Sequence, residues 1–130
     1  MSPFTATAPF PNALMWLTSE DAQELVIPDV DGVANIWTSE NAWGVAVQPD
    51  IDGSVTLTIG PAAPDNTAMT LLHDGVLHSG RRLIEVQTVY LETIAWFRST
   101  THDVALRIWG DDPGQTEHIH IQCPDIKEIA

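Results

Sequence analysis

The sequence is punctuated, and the punctuation leaves few folds open. From Pro28 onward, turn residues return about every eight to twelve positions, and the short stretches between them alternate apolar and polar side chains, as strands of an antiparallel sandwich or barrel do. Pro28-Asp29-Val30-Asp31-Gly32 is one such turn, and the same pattern recurs 21 positions later as Pro49-Asp50-Ile51-Asp52-Gly53. After the second, Val55, Leu57 and Ile59 alternate with Thr56 and Thr58, so the apolar set shares one face and the threonines the other. Because Val45, Ala46 and Val47 lead into that turn, the stretch reads as a β-hairpin. Further strands are expected at Val33 to Trp37, Met69 to His73, Arg82 to Tyr90, Leu91 to Arg98, Asp103 to Trp109 and His118 to Cys123. The segments 61–66, 74–80 and 110–116 read as a loop, a turn-rich crossing and the closing turn of the last hairpin.

Before Pro28 the pattern differs. Pro3, Pro9 and Pro11 make residues 1–12 an extended arm that frays or lies along the domain edge. Thr18 and Ser19 followed by Glu20 and Asp21 resemble a helix start, a hydroxyl cap before acids at the positive end of the dipole, running to about Leu25. The expectation is a mainly β chain: an arm over 1–12, then a single antiparallel β-sandwich domain over 13–130 with at most one short N-terminal helix. A chain of 130 residues can bury a core of its own without a metal or disulfide. No run approaches the roughly 20 apolar residues of a membrane span. The opening residues lack the basic and apolar regions of a secretory signal, and a lone cysteine fits a reducing compartment, so a cytoplasmic protein is expected.

Charge narrows the function classes. Eighteen acids face five bases, a formal net charge of −13. The first 80 residues hold ten of those acids and no Lys or Arg, and all five bases (Arg81, Arg82, Arg98, Arg107 and Lys127) follow. Such a field repels nucleic acid and anionic membrane and speeds association with a basic partner. Acidity also serves solubility alone.

Catalytic signatures are sparse. There is no Gly-x-Ser-x-Gly elbow and no phosphate-cradling glycine loop, and Cys123 shares its strand face with Ile119 and Ile121, which marks it as a small buried hydrophobe. The two Asp-x-Asp-Gly turns lack the further ligands of a calcium loop, and Asp and Gly are what ordinary turns prefer. His118 and His120 are spaced to point one way from a strand, the arrangement of two zinc or iron ligands, but no third ligand is identifiable and no cofactor is expected. The five tryptophans, Trp16, Trp37, Trp43, Trp96 and Trp109, fill core or anchor an interface. Trp43, before Gly44 and after Ser39-Glu40-Asn41, and Trp109, opposite the apolar set of its strand, are the candidates for partial exposure, the alternative being that both are core.

The run Gly80-Arg81-Arg82-Leu83-Ile84-Glu85-Val86, then Val104-Ala105-Leu106-Arg107-Ile108-Trp109, then an acidic turn and Glu117-His118-Ile119-His120-Ile121-Gln122, resembles the closing strands of small acidic bacterial β-sandwich proteins related to the competence nuclease inhibitor. The resemblance covers about the last 50 residues and implies a non-catalytic protein that blocks a basic nuclease or toxin. It transfers no binding residue. The residues themselves point to Glu40, Asp50 and Asp52 as carboxylates for a partner's Arg or Lys, with Trp43 and Trp109 as apolar anchors. Competing classes are a small metal-dependent enzyme using His118 and His120, and a structural or assembly protein of a phage or secretion system.

Overall fold

The computed structural model of the chain describes residues 3–19, 25–30, 34–65, 68–112 and 116–129. Within them two sheets stack into a sandwich. The five-stranded sheet runs in the order β1 (Phe4–Ala8), β5 (Val55–Gly60), β10 (His118–Gln122), β9 (Asp103–Gly110), β6 (Thr70–His78). The six-stranded sheet runs β11 (Ile126–Ile129), β8 (Thr93–Ser99), β7 (Leu83–Gln87), β2 (Leu14–Ser19), β4 (Ala42–Ala46), β3 (Ile36–Thr38). Neighbours are antiparallel except β5 and β10, which pair parallel, Ile119 opposite Leu57. The mainly β sandwich expected from the punctuation is the fold observed, and no helix among the described residues is long and apolar enough to cross a membrane.

The core follows from period-two alternation. Val55, Leu57 and Ile59, Val104, Leu106 and Ile108, and Ile119 and Ile121 project inward from one sheet, and Met15, Leu17, Val45, Ile84, Val86 and Phe97 meet them from the other. Cys123 lies among them, fully buried as expected. Burial pushes its thiol up from 9.0 to about 11, because the thiolate would lose its water; a backbone hydrogen bond at Asp125 offsets part of this.

Several expected elements are corrected. The two arms of the expected hairpin do not pair. Val45 lies in β4, between β2 and β3, whereas β5 lies in the opposite sheet between β1 and β10. The Asp50–Asp52 stretch is a 3-10 turn carrying the chain between sheets, with Gly53 at φ +130, where a side chain would be strained. Thr18 and Ser19 end β2, opposite Glu85 and Ile84; residues 20–24, where a helix was expected, lie outside the described residues. Asp74 to Gly80 is no crossing. β6 continues to His78, because Asp74 pairs with Arg107 across the sheet (3.4 Å) and Gly75 makes room for the Trp43 ring. Phe4–Ala8, in the arm expected to fray or lie along the domain edge, is a paired edge strand, β1, and β11 is a strand the punctuation did not announce.

Connections gather at two ends. At one lie the links β1 to β2, β4 to β5, β7 to β8 and β9 to β10; at the other lie β3 to β4, β6 to β7, β8 to β9 and β10 to β11. Six residues separate Glu92 from Arg98 along β8, so the ends stand roughly 20 Å apart at about 3.3 Å per residue.

Candidate functional site

The first end is acidic. The 3-10 turn places Asp50 and Asp52 on either side of Ile51, which is 88% exposed. The turn between β7 and β8 adds Tyr90 and Leu91, each 69% exposed, and Glu92. The link from β9 to β10 adds Asp111, Asp112 and Glu117. The topology puts these at one end: β2 begins beside the end of β7 (Trp16 opposite Gln87), and the Pro11–Ala13 turn before β2 touches the Asp50–Asp52 turn.

Hydrogen bonds tie the described turns of this end together. Asp52 N–H donates to the Pro49 carbonyl (2.9 Å) and Gly53 N–H to that of Asp50 (3.2 Å). The buried Gln48 side chain donates to the Ser54 carbonyl (2.8 Å), and its N–H reaches the Thr116 carbonyl (3.0 Å), tying the corner to the next loop. Asp111 Oδ1 accepts the N–H groups of Glu117 (3.0 Å) and His118 (3.2 Å). A platform ordered before binding loses less entropy when a partner arrives. Exposed apolar side chains and carboxylates on the turns of one end suit a basic surface that carries apolar side chains of its own.

The expected site residues divide. Asp50 and Asp52 belong to this end. Glu40 does not: it sits in the β3 to β4 turn at the far end, where its carbonyl accepts His78 N–H (2.7 Å). The expectation that Trp43 is partly exposed is overturned, since it is 1% exposed and cannot touch a partner. It pairs with Leu17 on the inner face of β4, with its ring edge-on to His73 (centroids 4.8 Å). The neighbouring Gly44 marks the close approach of the Trp16 ring on the outer face, not a turn. Trp109 is half-buried on the outer face of the five-stranded sheet, where Nε1 donates to Gln122 Oε1 (3.1 Å). Sequence reasoning missed Tyr90, Leu91, Glu92, Asp111, Asp112 and Glu117. Their turns were legible, but which turns share an end depends on strand order.

His118 and His120 project from one face of β10, as their spacing requires. The pair nevertheless cannot act together on a metal. His120 is buried under the Pro61 to Asp65 segment, and the Ala62 carbonyl, able only to accept, receives a hydrogen bond from Nε2–H (2.8 Å). Nδ1 then accepts the Thr58 hydroxyl (2.6 Å), so both ring nitrogens are committed. The ligand atoms of Asp111, Glu117 and His118 lie within 4.8 Å of one another, but Glu117 and His118 are exposed and Asp111 already caps the turn.

No protein-family model matches the chain, and no curated protein matches it in sequence. In three dimensions it is similar to the crystal structure of ComJ, inhibitor of the DNA degrading activity of NucA, from Bacillus subtilis, with a TM-score of 0.65 over 95% of this chain and 94% of that one. At 10% sequence identity, what the two chains share is the sandwich fold.

Proposed function

We propose that the chain is a non-catalytic binding protein of the inhibitor or immunity type, which sequesters a basic nuclease or toxin through its acidic end. The observation that carries this reading is that the strand order brings the turns bearing Asp50, Asp52, Glu92, Asp111, Asp112 and Glu117, with exposed Ile51, Tyr90 and Leu91, to one end of the sandwich. Carboxylates on these turns give short, charge-assisted hydrogen bonds to Arg and Lys, and the field of a −13 molecule accelerates the encounter. The fold shared with a nuclease inhibitor supports the reading. The histidines do not favour an enzyme, since His120 is held by Thr58 and Ala62.

The test is functional. A basic protein captured on the chain from extracts of the cells that make it is purified and assayed for DNA degradation. The expected result is that one equivalent of the chain abolishes the activity. A captured protein whose activity is unchanged by excess chain overturns the inhibitor reading.

A further inference from the structure

At the end opposite the acidic platform, four of the five Lys and Arg residues of the chain line one cavity. Arg81 and Arg82 come from the β6 to β7 connection, Arg98 from the end of β8 and Lys127 from β11, with His102 between them in the β8 to β9 turn. The cavity holds about 270 Å³, and Gly80 and Ser99 complete its lining. Like charges brought into one cavity repel one another, and an anion between them relieves that repulsion.

The framework around them is ordered. Ser79, fully buried, receives at its carbonyl the N–H of Arg82 (3.2 Å), and its own N–H donates to the His102 carbonyl (2.8 Å). Ser99 N–H donates to the Arg82 carbonyl (2.8 Å). Arg82 is held at φ +62, a left-handed conformation that a non-glycine residue adopts at a cost and that marks functional sites when the surroundings enforce it. The Ser79 carbonyl lies 3.2 Å from His102 Nδ1, which therefore carries a proton and leaves Nε2 to accept from Arg82 Nη2 (3.3 Å), aiming that guanidinium. Arg98 is oriented twice, by Nε on Glu128 (2.9 Å) and by its position over the Trp96 ring (5.7 Å to the centroid).

The geometry points to a binding site for a small phosphate-class oxyanion. Guanidinium forks match phosphate oxygens in pairs, and a lysine adds a compact charge. Size follows from screening. At physiological salt a charge is felt over about 8 Å, so a compact anion in the cavity feels the cations that line it, with Glu128 on Arg98 offsetting part of their charge, while a polynucleotide extends over the acidic remainder and is repelled.

Pyrophosphate, inorganic phosphate and a 20-nucleotide single-stranded DNA are titrated by calorimetry into the whole chain at constant ionic strength. Pyrophosphate is expected to bind saturably with one equivalent, and phosphate more weakly. Arg82→Gly removes the side chain at a backbone position glycine prefers, and Lys127→Gln alters an exposed strand; each lowers pyrophosphate affinity tenfold or more while the melting temperature holds. A response reproduced by sodium chloride, one unchanged in both variants, or tighter binding of the DNA than of pyrophosphate overturns the proposal.

Discussion

Trp43 concentrates the residue-scale physics of the core. It is the largest fully buried side chain, and its Nε1 finds no hydrogen-bond partner among the described residues. A buried donor left unpaired costs about 1–3 kcal/mol. Trp43→Phe removes that donor with most of the ring retained, so thermal unfolding is expected to show a loss well below the roughly 3–5 kcal/mol of Trp43→Ala. A Cβ on Gly75 would stand 2.9 Å from His73 Nε2 and 3.2 Å from Trp43 Cζ2, so Gly75→Ala is expected to cost about 1–3 kcal/mol, and less on the Trp43→Phe background. Cys123 makes a prediction in pH. Its folded pKa, about 11, lies above the ordinary 9.0, so its contribution is complete below pH 9 and is lost as pH rises through 11. Chemical unfolding from pH 8 to 11 is expected to show a decline of order 2 kcal/mol that Cys123→Ala removes.

At the scale of elements, His120 fixes the segment that leaves β5 and passes over the sheet toward β6. Replacing it with Ala strands the Thr58 hydroxyl and the Ala62 carbonyl. Limited proteolysis is expected to cut that variant between residues 61 and 69 several times faster than the parent, with a stability loss of about 1–3 kcal/mol. Elements were legible where alternation was regular. Val104, Leu106 and Ile108, or Ile119 and Ile121, state their strand and their inner face outright. Local pattern failed where tertiary packing decides. Gly44 and Gly75 read as turns but make room for Trp16 and Trp43, and Pro49 to Gly53 reads as a hairpin turn yet joins two sheets. Whether flanking strands pair across a turn is set by strands far away in sequence, here β1 and β10.

At the scale of the whole molecule, the bases are gathered by end and not by sequence half, at an end that Asp103, Asp125 and Glu128 share with them. The base-free first 80 residues supply Asp50 and Asp52 to the acidic end, but Glu92, Asp111, Asp112 and Glu117 come from the remainder, and Glu40 lies at the opposite end with the four clustered bases. No count along the chain contains that arrangement. It needs the order in which strands cross the sandwich. The polarity gives a basic partner one favoured orientation of approach, and so makes the site testable by position as well as by charge. The most direct measurement is the association rate constant between the chain and the basic protein captured in the proposed test across a range of salt, for the parent, for Asp50→Lys with Asp52→Lys, and for Glu40→Lys. The expected result is a fall of more than tenfold in rate at low salt and a shallower salt dependence for the double reversal, with Glu40→Lys close to the parent. Equal rates for the parent and the double reversal, or a larger loss from Glu40→Lys, would contradict the assignment of the acidic end as the binding site.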